Sequence, residues 1–322
     1  MPKILLTNYY RPEPLSFVKR LVPEGFELLA LDQPGQEEVI RQAPQADYLL
    51  AGGRTRVDAK VLEAAPRLKM IQRSGVGLDS LDLDAIRQRG IPLYVNEGVN
   101  SRSVAEHTAM LMLGTLRKLG EVNAMTHGGQ WVKHDVGIRC HDLFDKQVGL
   151  IGLGNIGSYV AEMLKGFGVH TVYHKRHRLS ADQEQRLGVR YLPLQELLST
   201  SDIISLHCAL TADTRNLIGE AELADMKPGA VVINTSRGAL IDEAALLGAL
   251  QSGHVAGAGL DAFAKEPLPS DHPFKGMNNI VMTPHIGGIT AETFGELIRK
   301  AFSNIALFDA RNLEIMTAKE IK

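Results

Sequence analysis

The sequence predicts an α/β protein built on two doubly wound parallel sheets. Three observations carry this expectation. Short apolar runs alternate with amphipathic segments over residues 1 to 99, the same alternation resumes beyond residue 194, and a strand, glycine turn, helix and strand follow one another within Gln147 to Arg176. Alternating β and α segments imply parallel strands covered by helices on both faces. The 322 residues are 44% apolar, enough for two ordinary cores.

In the first part, strands are expected at Ile4 to Leu6, Phe26 to Ala30, Tyr48 to Ala51, Met70 to Ile71 and Ile91 to Val95, with helices such as Asp58 to Ala64 and Leu83 to Arg89 between them. Ligands of such sheets lie beyond the carboxyl ends of the strands. Gly52-Gly53-Arg54 and Ser74-Gly75-Val76-Gly77, which directly follow strands, are therefore candidate site loops.

Asn100 to Leu119 reads as a long helix whose start is expected at a Ser103-x-x-Glu106 capping box. Its apolar residues cover more than one face, so it is expected to be buried between domains or against a second subunit. His107 on this helix reads as a satisfied interface histidine rather than a catalyst. From Gly120 to Lys146 the pattern is irregular. His127, His134, Cys140 and His141 do not fall at the spacing of a tetrahedral metal site, and an arm reaching over a neighbouring chain is expected instead.

Val148, Leu150 and Ile151 then run into Gly152-x-Gly154-x-x-Gly157, followed by a helix-period segment and a second strand ending at His174. Glycines alone are weak evidence, but this order within about thirty residues is far rarer. Gly152 permits a tight turn, Gly154 lets backbone approach a pyrophosphate, and Gly157 lets the helix sit close to the strand. The N-terminus of the helix behind the glycines attracts an anion without any basic side chain. The segment thus reads as a dinucleotide site. Where an NAD site commonly places an acid on the ribose hydroxyls, this chain has Lys175 and Arg176, flanked by His174, His177 and Arg178. A guanidinium can hold a 2′-phosphate that a carboxylate would repel, so NADP is expected to be preferred over NAD.

Further strands are expected at Asp202 to Leu206, Ala230 to Asn234, Val255 to Leu260 and Asn279 to Met282, with helices at Leu194 to Leu198, Glu220 to Asp225 and Glu243 to Leu250. A last helix covers about Thr290 to Ala310. Three of these strands end in polar motifs: Asn234-Thr235-Ser236-Arg237-Gly238, Asp261 to Pro267, and Thr283-Pro284-His285-Ile286-Gly287-Gly288. Together with the glycine turn, these ordered motifs resemble the D-isomer-specific 2-hydroxyacid dehydrogenase family over essentially the whole chain.

The resemblance implies a flavodoxin-like substrate domain from residues 1–99 and 290–322, interrupted by an inserted Rossmann dinucleotide-binding domain at 100–289. It implies Arg237 as the substrate-clamping arginine, His285 as general acid/base, Glu266 as its carboxylate partner and Asp261 as the holder of the nicotinamide carboxamide. Val76 and Gly77 match the loop whose N–H groups receive the substrate carboxylate, Asn155 and Ile156 match the pyrophosphate turn, and Thr235 lies on the cofactor side of its loop. The chemistry is consistent with this. Reducing a 2-keto acid puts negative charge on the carbonyl oxygen, which imidazolium can protonate near neutral pH. A guanidinium fork can bind the carboxylate and orient the carbonyl together.

Departures from the family pattern refine the expectation. Gly52-Gly53 stands where phosphoglycerate-oxidising relatives tend to carry Arg-Ser, which disfavours a phosphorylated substrate. Glu266 stands where formate-oxidising relatives usually have Gln, which favours keto-acid chemistry. Ala209 and Ala212 replace prolines common in the family. The expected activity is NAD(P)H-dependent reduction of a small 2-keto acid of the glyoxylate, hydroxypyruvate or 2-ketogluconate kind, and the rival reading is a non-enzymatic, corepressor-like dinucleotide sensor. A homodimer is expected. The net charge of −2 without a basic block argues against nucleic acid as a partner. Two cysteines, no signal-peptide pattern and no long apolar run lead to the expectation of a cytoplasmic protein that neither spans nor binds a membrane.

Overall fold

The computed structural model describes residues 1–313, 316 and 318–321; residues 314, 315, 317 and 322, in the tail of the expected 290–322 segment, lie outside the described residues. The chain forms two compact units, Met1–Asn100 with Ile289–Lys322, and Ser101–Gly288.

The first unit alternates β1 (Lys3–Leu6), α1 (Pro12–Lys19), β2 (Glu27–Leu29), α2 (Gln36–Gln42), β3 (Tyr48–Ala51), α3 (Ala59–Glu63), β4 (Met70–Arg73), α4 (Leu83–Gln88) and β5 (Leu93–Val95). Its strands pair in the parallel order β5-β4-β3-β1-β2. Every residue of β3 and β4 is buried, the pattern of central strands covered on both faces. The helices start where the sequence offers carboxylate caps. Asp58 accepts from the N–H groups of Lys60 and Val61, and Asp82 from that of Ala85.

The second unit opens with α5 (Ser101–Leu116), α6 (Leu119–His127) and α7 (Lys133–Gly137). It continues through β6 (Gln147–Ile151), α8 (Asn155–Leu164), β7 (His170–His174), α9 (Ala181–Leu187), β8 (Val189–Tyr191), α10 (Leu194–Thr200) and β9 (Ile203–Leu206). It ends with α11 (Glu220–Asp225), β10 (Ala230–Asn234), α12 (Glu243–Ser252), β11 (Val255–Leu260) and β12 (Ile280–Met282). The strand order is β12-β11-β10-β9-β6-β7-β8, every pairing parallel. The chain leaves β6 towards β7 and β8, then returns to place β9 on the other side of β6. That reversal opens a crevice at the carboxyl edge, where doubly wound sheets bind ligands.

α13 (Ala291–Asp309) belongs to the first unit, where its Ile298, Ala301, Phe302 and Ile305 pack with Ile4, Leu6, Tyr48 and Met70. β13 (Lys319–Ile321) adds to the β5 edge and is antiparallel, a common elaboration of a parallel sheet.

Two local expectations are corrected. Ser103 lies inside α5, which starts at buried Ser101, so Ser103-x-x-Glu106 is not its N-terminal cap. The stretch read as irregular contains two helices, α6 and α7. α6 buries none of its residues, so no apolar stripe marks it in the sequence.

Candidate active site

In the second unit, β10, β11 and β12 are adjacent and parallel, so their carboxyl ends deliver Arg237, Asp261, Glu266 and His285 to one edge. His285 Nδ1 lies 2.8 Å and 3.0 Å from the two Glu266 carboxylate oxygens. A carboxylate only accepts, so Nδ1 carries the hydrogen and Nε2 is the nitrogen left to exchange a proton with a substrate. His285 has φ of 55°, a left-handed conformation uncommon for a side-chain-bearing residue. Such positions persist only where the surroundings over-determine them.

Glu266 is itself held in place. Its Oε1 accepts from the Phe263 N–H at 3.0 Å, and the neighbouring Ala264 N–H donates to Glu243 at the start of α12. Burial pushes the Glu266 carboxyl upward. The hydrogen bond and charge of His285, the Phe263 N–H and the Arg237 charge outweigh it and leave the group below the usual carboxylate range. Arg237 donates to the Ser236 carbonyl at 2.8 Å. Its loop lies against the Phe263–Ala264 backbone because Gly238 has no side chain; a Cβ there would stand 1.8 Å from the Phe263 carbonyl carbon.

Asp261 is almost wholly buried, and both its oxygens are engaged. Oδ1 accepts from the Thr283 hydroxyl at 2.6 Å and the Ile286 N–H at 2.9 Å, and Oδ2 from the Gly287 N–H at 2.8 Å. Burial again pushes upward, and these bonds together with His107 pull the carboxyl below its usual range. Thr235 sits beneath α5, with its hydroxyl 2.8 Å from that of Thr108.

The glycine turn lies at the strand-order reversal. Gly152 has φ of 96°, and a Cβ on it would meet the His207–Cys208 backbone; one on Gly157 would stand 2.7 Å from the Gly152 carbonyl oxygen. Gly154 is different: a Cβ there meets nothing within 4 Å. It also caps α8 without any side-chain bond, so the first-turn N–H groups at Asn155 and Ile156 have no side-chain acceptor at the cap. Open space before uncapped donors fits a pyrophosphate. Behind the turn, burial pushes His207 down to about 4, which keeps that imidazole neutral.

Lys175 and Arg176 follow β7, whose His174 is in register with Ile151 of β6. Lys175 Nζ donates to the Leu153 carbonyl within the glycine turn at 3.2 Å. The Arg176 guanidinium is exposed and 3.5 Å from Asp213, whereas Arg178 is held by both Glu184 oxygens and lies over Tyr191. In the first unit, Val76 and Gly77 lie in the loop after β4. Val76 is exposed, and the Gly77 carbonyl accepts from Arg73 Nε at 2.7 Å.

The model of the D-isomer specific 2-hydroxyacid dehydrogenase NAD-binding domain matches residues 109–287, more than half of the chain, taking in the glycine turn, two of the polar motifs and the third as far as Gly287. The chain belongs to the D-isomer specific 2-hydroxyacid dehydrogenase family. As a member it is an oxidoreductase with an NAD-binding Rossmann domain. It is 37% identical to a glyoxylate reductase of Aeropyrum pernix over 95% of this chain and 92% of that one. It is 38% identical to a D-3-phosphoglycerate dehydrogenase of Mycobacterium leprae over 89% of its own length, and spans only 55% of that relative. Among solved structures, an acyclic imino acid reductase in complex with NADPH and D-Arg superposes with a TM-score of 0.82 at 30% identity, covering 96% of this chain and 97% of that one.

Three residues that hold this dehydrogenase's candidate site, Asn234, Thr283 and His107, had no site role in the reading of the sequence. Asn234 is fully buried at the end of β10; it donates to the Arg237 carbonyl and accepts from the Ser236 N–H, fixing the loop that carries the arginine. An Asn directly before a polar loop is a turn signal that could have flagged it. Thr283 and His107 meet across 176 residues of sequence, with His107 Nε2 2.8 Å from the Thr283 hydroxyl. No local pattern announces such a pair.

Proposed function

We propose that this dehydrogenase reduces a small unphosphorylated 2-keto acid, of the glyoxylate, hydroxypyruvate or 2-ketogluconate kind, to the D-2-hydroxy acid, and catalyses the reverse, with NADPH preferred over NADH. The observation that carries this reading is the His285–Glu266 pair beside Arg237, an acid/base group with its tautomer fixed next to a carboxylate-binding cation. The coenzyme supplies the hydride when bound. Arg237 clamps the substrate carboxylate and orients the carbonyl, and in the first unit Val76 and Gly77 are the substrate-binding residues of this reading. His285 Nε2 gives its proton to the carbonyl oxygen as negative charge develops there, while Glu266 holds the ring and stabilises its charged form.

Gly152, Gly154, Asn155, Ile156 and Gly157 would hold the pyrophosphate, with Thr235 and Asp261 towards the nicotinamide. NADPH preference is supported by the absence of a carboxylate at the end of β7 and by the exposure of Arg176. A panel of keto acids assayed with both coenzymes tests the reading. Turnover should exceed background on at least one unphosphorylated keto acid, with kcat/KM for NADPH at least about tenfold that for NADH, the scale of one charge-assisted bond. Arg176→Ala should erase most of that difference. An NADH preference would overturn the coenzyme assignment, and no turnover on any keto acid would overturn the enzyme assignment in favour of a dinucleotide sensor.

We also propose a homodimer. α5, α6 and α8 leave an apolar groove lined by Ala109, Met110, Leu113, Leu119, Met163 and Phe167, with Met110 43% and Leu119 54% exposed. A contiguous apolar patch of this kind is costly to leave in water. Met110→Asp should convert the dimer to monomer in sedimentation velocity. A wild-type protein sedimenting as a monomer at micromolar concentration would refute the assignment. Among the described residues no helix is long and apolar enough to cross a membrane.

A further inference from the structure

His285 can act only if its turn is held, and the turn is held from below. The Asp261 carboxylate receives the two N–H groups that immediately follow His285 in sequence, those of Ile286 and Gly287. Asp261 is in turn fixed by Thr283, whose hydroxyl donates to Oδ1 at 2.6 Å. A hydroxyl has one hydrogen. Having given it to Asp261, Thr283 must accept at its 2.8 Å contact with His107, which makes His107 Nε2 the donor. The same Nε2 lies 3.5 Å from Asp261 Oδ1, so its hydrogen points at the carboxylate side of the network. Gly287 completes the arrangement: a Cβ there would stand 3.0 Å from Asp261 Oδ2 and 3.2 Å from the His107 ring.

We propose that Thr283 and His107 are positioning residues of the reaction, acting through Asp261 to hold the backbone of residues 285–287 and so the place of the His285 imidazole. The two residues touch neither the His285 ring nor Glu266 in this network, and their effect passes through the main chain. A left-handed residue such as His285 returns to ordinary backbone geometry when its restraints are removed. The Nδ1 bond to Glu266 then loses its geometry and Nε2 its aim. This role rests on the assignment of His285 as acid/base and adds to it Thr283, two residues before His285 in the same strand-end motif, and His107 on α5. It also gives a reason for the hydrogen bond that His107 makes from α5 to Thr283.

The test uses the full-length protein. Thr283→Val keeps the branched shape and removes the hydroxyl, and it should lower kcat by about tenfold to a hundredfold, the scale of one hydrogen bond to a charged group. KM for the keto acid should change by less than about threefold, because Arg237, the proposed clamp of the substrate carboxylate, is not part of this network. Thr283→Ser restores the hydroxyl and should recover most of the lost kcat, which a packing role for the methyl group would not allow. His107→Phe should repeat the Thr283→Val result, and it decides the matter if Thr283→Val does not fold. Near-normal kcat in Thr283→Val and His107→Phe, with His285→Asn inactive, would overturn the positioning role alone. Near-normal kcat in His285→Asn as well would overturn the acid/base assignment beneath it.

Discussion

His285→Asn lowers kcat/KM for keto-acid reduction by about two to four orders of magnitude, the contribution expected of a positioned general acid, while Tm and NADPH affinity stay close to wild type. Asparagine is the informative replacement because of the backbone. With φ of 55°, position 285 suits few residues, and Asn tolerates the left-handed region better than Ala does. Its amide can also donate to Glu266 in place of Nδ1. What it lacks is a group able to give up a proton near neutral pH, so the loss isolates chemistry from folding. Steady-state kinetics with a thermal melt checks both halves. A variant with near-normal turnover would show that proton transfer runs through another group.

Glu266→Gln separates orientation from charge at the same place. The amide keeps the size of the side chain and can still accept from Phe263, but the negative charge facing His285 is gone. Because the Glu266 carboxyl lies below its ordinary range in the folded chain, the stability it contributes is complete above the unfolded value. That contribution is lost as pH falls through the depressed folded value. The side chain is about one-third exposed, so solvent screening keeps the effect small. Acid unfolding of the wild type should accordingly be steeper than that of the Gln variant.

The elements that were legible in sequence share one property: their burial follows a fixed period. β10, buried at every position, and α13, with its buried stripe, can be read because each packs one side or both against a core. The glycine turn was legible for a different reason: Gly152 and Gly157 leave no room for a Cβ, and Gly154 leaves open space before the helix N-terminus. α6 buries nothing and left no trace, and β13 is defined by the edge it joins rather than by its own composition. At the site, Arg237, Glu266 and His285 were marked by their strand-end motifs, and the roles proposed for them came from the family resemblance those motifs carry. The groups that hold them were given no such role, because the Thr283–His107 pairing joins distant parts of the chain and Asn234 offers only a turn signal. The same holds for Arg176 and Arg178, two identical residues in one loop. One is fully engaged by Glu184 and Tyr191, and the other is exposed to solvent beside Asp213.

Gly238→Ala should separate the two loops that bring Arg237 and Glu266 together, and Gly154→Ala provides its contrast. Gly238 does not use a left-handed backbone, so alanine is excluded there by space alone. Its Cβ would fall 1.8 Å from the Phe263 carbonyl carbon and 2.2 Å from the Ala264 nitrogen. Both are main-chain atoms and cannot rotate aside, so one loop must move. Overpacking of this kind costs about 1–3 kcal/mol, and the displacement falls on the two loops that carry Arg237 and Glu266, the proposed clamp and the proposed partner of His285. Tm should drop, and kcat/KM should fall further than the loss of folded protein explains. At Gly154 a Cβ meets nothing within 4 Å, so the alanine variant should melt with wild type. The methyl group would instead occupy the space before the α8 N-terminus where the pyrophosphate belongs, raising the dissociation constant of NADPH. Calorimetry and coenzyme titration on the two variants should therefore give opposite patterns: stability lost at Gly238, coenzyme affinity lost at Gly154. A Gly154→Ala protein that binds NADPH as tightly as wild type would place the pyrophosphate elsewhere.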